Sequence, residues 1–580
     1  MKIYRKYLFL LLILFGSTRF WRAQNQNLKY YFNGHLGDNT LTQVEARSNE
    51  ILPDKAIAKT LTQLQNMGHL LARVDSVKEM AGGTEVYIHE GPVFEWAYLK
   101  PGNLNAALAS KVGLAEQSQS GKVVHCKQLA ASFEKLLRFY ENTGYPFATV
   151  GFDSVQVEGN RLSAVLRVEK NKYFTIDSIL IKGSLKLNKG FVEQYYGIKE
   201  GMPYQEDVLN TLSQKTKQLP FITEKQEQRV QLTKKTNKLL LFYDKKDASQ
   251  FDGIIGFLPD AATKKTIVTG DVKLKLVNGI LHSGETFDVE WRRLKSQTQD
   301  FNGRITYPYL FKSPIGVDYN LKIYRRDTTF IDINSNIALQ YYFKGLNYVK
   351  LFYKQRNTNL ISTNGYALAN SLPDYADIQT QAYGIGVLYE QYDYKLNPRK
   401  GLGINISGQA GNRNIKKNPK INTQAYDQVL LHSSQYQVEG QVQAYVPLHK
   451  NHVLKVAAQG ASVFGNTTVY RNELFRIGGL KTLRGFDEES IFCSTYLIST
   501  VEYRFLYART SNLFVFTDAA WYENLSTHRY TKDQPLALGA GISFDTKAGI
   551  LNMSYALGNQ MGNGFDVRNG KIHFGLVALF

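Results

Sequence analysis

A chain of 580 residues is too long for one ordinary domain. It is 13% aromatic, with 37 Tyr and 32 Phe, yet its mean hydropathy is −0.30; this suits half-buried strands, and past residue 15 no apolar run is long enough for a membrane-spanning helix. The net charge of +20 admits an acidic partner such as anionic lipid or lipopolysaccharide, but the lysines are dispersed, and no basic patch interleaved with aromatics offers a nucleic-acid surface.

At the start of the chain, Lys2, Arg5 and Lys6 precede the apolar run Leu8–Phe15. This is the pattern of a secretory signal over residues 1–23, with Ala23 a candidate final residue. Residues 27–245 then carry an internal repeat. Asn66-Met-Gly-His-Leu-Leu-Ala-Arg-Val74 matches Asn142-Thr-Gly-Tyr-Pro-Phe-Ala-Thr-Val150 at Asn, Gly, Ala and Val, and Leu219-Pro-Phe-Ile222 is a fainter third copy. The spacing of about 75 residues defines three modules, 27–92, 93–170 and 171–245. Each reads as a helix, a glycine or proline stop and two strands, and the second and third open with a strand, Val93–Leu99 and Phe174–Ile181. The helices are predicted over Asp54–Asn66, Lys127–Asn142 and Gln205–Gln218. In the second, Leu129, Phe133, Leu136, Leu137 and Tyr140 make one apolar face. Edge strands of such modules can accept a strand from an extended partner.

Near Lys245 the periodicity changes. From residue 250 to 580 the apolar residues recur every second position, as in Phe287-Asp-Val-Glu-Trp291 and in Val438, Val442, Ala444 and Val446. Alternation fits either a sandwich or a barrel whose apolar face meets lipid. The signal, the tyrosine content and the length favour a barrel, and about 330 residues at about 20 per strand give about 16 antiparallel strands. The first would lie near Phe251–Phe257, with Gly253 and Gly256 contributing no side-chain packing; the last runs over Gly570–Phe580, with Ile572, Phe574, Leu576, Ala578 and Phe580 on one face. Late in this region lies Arg476-Ile-Gly-Gly-Leu-Lys-Thr-Leu-Arg-Gly-Phe486, in which Gly478 and Gly479 free the backbone and Arg484, followed by Gly485 and Phe486, can seek carboxylates. Glu502 and Asp518 sit inside apolar strand patterns, and the alternation turns both inward, with Arg504 beside Glu502.

Three α+β modules, a barrel-like half, G-G-x-x-x-L-R-G-F and a terminal phenylalanine together resemble the outer-membrane assembly superfamily, BamA/TamA-like, whose periplasmic modules are called POTRA domains. The count of three modules resembles the TamA branch. Asn397-Pro-Arg-Lys-Gly401 resembles a recurring turn of the family. The resemblance implies a bacterial outer-membrane protein with its modules in the periplasm. It implies a loop folded into the lumen with Arg484 against Glu502 and Asp518. The expected function is insertion of β-barrel or autotransporter clients by strand pairing at a lateral seam between the first and last strands. A dedicated two-partner-type secretion pore is the alternative, and a passive porin has no use for three modules. The resemblance further implies unfolded client proteins and an inner-membrane-anchored, TamB-like protein as partners.

No G-x-S-x-G, P-loop or H-E-x-x-H is present. His89-Glu90 lacks a second histidine, and His449 and His452 flank a predicted surface turn. Cys126 and Cys493 fall in different predicted domains and form no metal motif. No enzyme activity, cofactor or metal is expected.

Overall fold

The computed structural model describes residues 28–32, 35–36, 53–80, 83–117, 119–233, 235–259, 266–295, 298–363, 366–367, 369–395, 397–526, 529–546 and 549–577. The signal segment 1–23 and the terminal Phe580 lie outside them. The chain divides into two compact units, one of 1–175 with 203–206, the other of 176–202 with 207–580.

The first unit holds the first two modules. In each, the opening strand runs parallel to the closing strand, and the middle strand pairs antiparallel along the closing strand's other side. The strands are Leu28–Phe32, Arg73–Met80 and Gly83–His89 in the first module, then Glu95–Lys100, Thr149–Glu158 and Arg161–Glu169 in the second. Parallel neighbours need a crossover, which the helices Pro53–Asn66 and Cys126–Glu141 supply. Leu136 and Tyr140 of the second helix are buried with Leu166 and Val168 of its sheet, while Leu129 and Phe133 pack at the margin. The short helices Ala106–Lys111 and Leu114–Gln117 are additional to the sequence prediction. They are too short to show a periodicity, although Asn105 Oδ1 caps the first by accepting from Ala107 N at 2.8 Å.

The second unit begins with a third module of the same plan: Ser178–Lys182 is parallel to Lys238–Lys245, which pairs antiparallel with Ile222–Gln231. The helix expected over Gln205–Gln218 is two helices, Glu206–Asn210 and Leu212–Lys217. The break falls at Thr211, whose N–H bonds Val208 O in a tighter turn. A further helix, Lys189–Tyr196, is held between two caps: Asn188 Oδ1 accepts from Gly190 N at 2.8 Å, and Gly197 closes the end at φ 75°.

From Gln250, 17 strands among the described residues form one antiparallel sheet, laid out in chain order. Arg529–Asp533 and Leu536–Thr546 pair with successive parts of Asn512–Ser526 and count as one interrupted strand, so the number of positions is the one expected from the sequence. The sheet curls until its first strand, Gln250–Pro259, lies beside its last, Lys571–Val577. Among the described residues no ladder joins these two, and the sheet is not closed. The edge strands have 10 and 7 described residues, against 18 for His432–His449 deep in the sheet.

Alternation assigns the two faces. Leu339, Leu351 and Ile385 lie in register on the outer face, and they and Val438, Val501 and Val515 on the same face stay exposed, an apolar belt far larger than a soluble surface carries. Residues of the opposite parity, such as Lys350, Glu439, Glu502 and Asp518, line the lumen.

The third module meets the sheet at the turns nearest to it. Asn188 N donates to His282 O at 2.6 Å, Asn278 Nδ2 to Lys186 O at 3.3 Å, and Gln194 Nε2 to Lys312 O at 2.6 Å. Phe191 is buried there, 5.7 Å from the Tyr309 ring, and Gly284 lies so close that a β-carbon would come within 2.3 Å of Phe191. Glu285, 1% exposed, shapes this receiving turn: its carboxylate accepts from the backbone N–H groups of Ile280, Leu281 and Ser283 at 2.8–2.9 Å. Burial pushes this carboxyl up, but the backbone donors outweigh it and hold it below the ordinary glutamate range.

Candidate functional site

Between the strands ending at Gly465 and starting at Thr495 the chain leaves the sheet and enters the lumen. Phe475–Ile477 and Ile491–Cys493 pair antiparallel as the stem of this excursion. Gly478 and Gly479 follow the stem at φ 113° and 96°, a region that other residues rarely enter. Thr482 Oγ1 accepts from Gly478 N at 2.8 Å and donates to Gly478 O at 2.9 Å, folding the tip on itself. Ile477, Leu483, Phe486, Ile491 and Cys493 are buried together with Ile498, Ala520, Tyr522 and Ala537 of the wall, so the loop has its own apolar core inside the lumen.

Arg484 projects from this tip to the wall. Its Nε and Nη2 donate to the two oxygens of Asp518, both at 2.7 Å, and its Nη1 donates to Glu502 Oε2 at 2.7 Å. The guanidinium lies 3.3 Å from the centroid of the Phe516 ring. Asp518 is 0% and Glu502 3% exposed, and each has a second partner: Thr500 Oγ1 donates to Asp518 at 2.8 Å, and Arg504 Nε to Glu502 at 2.6 Å. Lys455 stands opposite Glu502 in the strand register. Planar bidentate geometry on one acid and a third bond to another fix the guanidinium's position and orientation, which a lysine does not reproduce.

Sequence reasoning missed a second tie of the same loop. Arg413 and Glu473 are both buried and joined by two hydrogen bonds of 2.7 Å, with Thr467 Oγ1 accepting from Arg413 Nη1 at 3.1 Å and the Tyr470 ring 5.5 Å away. Beside it, Asn472 Nδ2 donates to Ala376 O at 3.0 Å, and Arg356 Nη2 donates to Asn472 O at 2.5 Å while its Nε holds Asp332 at 2.9 Å. Arg413 has an inward parity in its strand, which was the available signal; nothing local marks Glu473 as its partner.

The predicted seam residues are on the sheet edges. Gly253 pairs with Val272 and Gly256 with Thr269. The Phe251 ring leans over Gly253, 3.2 Å from where a β-carbon would be. Phe574 pairs with Met553 and is 61% exposed on the outer face. The turn Asn397–Gly401 is tied to a distant one: Asn397 Nδ2 donates to Arg509 O at 3.3 Å, and Asn512 Nδ2 to Asn397 Oδ1 at 3.1 Å. His449 and His452 pair across their hairpin turn. Both cysteines are free, and among the described residues no group of side chains could hold a metal.

An antiparallel barrel with an apolar outer belt, a polar lumen and an inward loop fixed by an arginine to wall carboxylates defines a transmembrane β-barrel of the bacterial outer membrane. Residues 280–578 match the Omp85 superfamily domain, and the chain belongs to the Omp85 superfamily. Among solved structures, CdiB from Acinetobacter baumannii is 12% identical, with 94% of this chain and 99% of that one covered at a TM-score of 0.52. CdiB from Escherichia coli is 13% identical over 92% and 100%, also at 0.52. BamA from Haemophilus ducreyi lacking POTRA domains 1–3 is 15% identical over 84% and 100% at 0.44. The CdiB likenesses show a shared fold. No curated protein sequence matches. The protein resides in the outer membrane with its POTRA modules in the periplasm, so the turns that meet the third module are periplasmic and the Arg484 loop enters from the extracellular side. Omp85 proteins are assembly or transport proteins that handle outer-membrane clients, and they are not enzymes.

Proposed function

We propose that this protein is an outer-membrane assembly factor that helps β-barrel or autotransporter proteins fold into and cross the membrane by strand pairing at a lateral seam. The observation that carries this reading is the pair of edges, Gln250–Pro259 and Lys571–Val577, which no ladder joins among the described residues. Unpaired backbone donors and acceptors at such edges are a template for an incoming strand. The loop fastened by Arg484 keeps the barrel in the shape in which this seam works.

The modules would receive clients before the seam does. Arg73–Met80 and Thr149–Glu158 are edge strands with Val77, Met80, Val155 and Val157 exposed, which suits addition of an extended segment. The three modules support a place in the TamA branch and an inner-membrane-anchored, TamB-like partner. Lipid and lipopolysaccharide contact the outer belt. A dedicated two-partner-type secretion pore is the second reading; the polar lumen lining, with Lys350, Lys354 and Lys455, favours it.

The test is reconstitution of the purified protein in liposomes and measurement of the folding rate of an unrelated urea-unfolded barrel. Wild type should accelerate folding, and Arg484→Ala, still membrane-inserted, should not. Acceleration by neither would move the assignment to the dedicated pore. A disulfide engineered between the two edge strands should block acceleration until it is reduced; full activity with the bond formed would sink the seam mechanism.

A further inference from the structure

The tip of the Arg484 loop touches more than the two acidic strands. Gly485 N donates to His573 Nε2 of the last strand at 3.0 Å, which fixes that ring's proton on Nδ1. Two positions before His573, Lys571 Nζ pairs with Asp487 of the tip at 2.8 Å. Two positions after it, Gly575 lies against Leu480, whose Cδ2 would be 3.3 Å from an added β-carbon. These three residues share the lumenal face of one strand, and each meets a different part of the tip. The adjoining strand Gly549–Asn559 is held as closely: a β-carbon on Gly558 would come within 2.7 Å of both Gly485 O and the Phe486 ring. On the other side, Gln459 Nε2 donates to Thr482 O at 3.1 Å. The tip therefore contacts the wall from the strand His452–Gly465 round to the last strand. None of its hydrogen bonds or ion pairs reaches residues 250–253, the part of the first strand whose side chains are described.

We propose that the loop tip and the last strand move as one body, with His573 the positioning residue that joins them, so that the seam opens by departure of the first strand from a fixed C-terminal edge. Lys571 and Gly575 stop the last strand from pivoting about the single His573 bond. The latch at Arg484 and the seam are then one device: the contacts that hold the loop also hold one lip of the opening.

The proposal rests on reading the edges as a seam, but its test needs no client, so a failed folding assay leaves it standing or falling by itself. Nitroxide labels would be placed in pairs on the full chain in liposomes, in a Cys126→Ser, Cys493→Ala background. Glu488→Cys with Phe574→Cys reports tip to last strand; Phe251→Cys with Phe574→Cys reports across the seam. The first distance distribution should be narrow and the second about two-fold wider or split, on the scale of collective strand motions. His573→Ala with Lys571→Ala should widen the first to match the second. His573→Gln, which restores an acceptor for Gly485 N, should keep it narrow. A tip-to-strand distribution as wide as that across the seam would overturn the proposal, as would one unchanged by the double substitution.

Discussion

At the scale of single residues, the interior of this barrel depends on charges that cannot be removed one at a time. Breaking a buried pair leaves the partner uncompensated, at a cost of about 3–5 kcal/mol, less where water enters. Arg413 and Glu473 are the most enclosed pair of the loop, so Arg413→Met should destabilise the fold by about that amount, and adding Glu473→Leu should recover much of the loss. Thermal unfolding in detergent, run as a double-mutant cycle, measures both. Glu285 makes a different prediction, because its partners are backbone N–H groups. Its folded-state pKa lies below the ordinary value, so it contributes stability above the unfolded glutamate range and loses it as the pH falls through the folded value. Glu285→Gln should cost about 1–3 kcal/mol near pH 7. The difference from wild type should shrink as the pH falls out of the ordinary glutamate range and through the folded-state value below it, where the native carboxyl itself takes up a proton. A penalty independent of pH would show that the charge is irrelevant to the turn.

Sequence periodicity was informative about residues whose direction is set locally. Glu502, Arg504 and Asp518 could be turned inward because side chains alternate along a strand, and the structure turns them so. Glu473 was not legible as a partner of Arg413, since 60 positions separate them and neither local pattern refers to the other.

At the scale of elements, the long strands and the crossover helices of the first two modules follow from apolar periodicity alone. The short helices do not, because a six-residue helix such as Ala106–Lys111 completes fewer than two turns and its capping is its only local mark. Lys189–Tyr196 did carry marks, Asn188 before it and Gly197 after it, yet its role is visible only where it docks. Phe191 of that helix is buried at the periplasmic turns. Phe191→Ala should cost about 3–5 kcal/mol and loosen the third module from the barrel. Hydrogen exchange at residues 278–285 should rise in that variant, while exchange in the lumenal loop stays at its wild-type rate. Equal acceleration at both places would mean that the helix supports the whole fold and not this joint.

At the scale of the whole molecule, the strand number, the two-faced wall and the tandem modules were all determined by the sequence, because each expresses a local geometric rule repeated many times. A strand presents alternate faces, and a run of strands with one apolar face must bury it against another layer or lipid. What only the tertiary structure decided is where ends and distant pairs meet. Among the described residues no ladder joins the first and last strands of the sheet, although the last alternates as the paired strands do. Gly485 finds His573 at a separation of 88 positions, and Arg484 finds Asp518 at 34. The physical reason is that such contacts are set by the register of all the strands between them and by the entropy of closing the chain, and neither quantity is written in any local stretch.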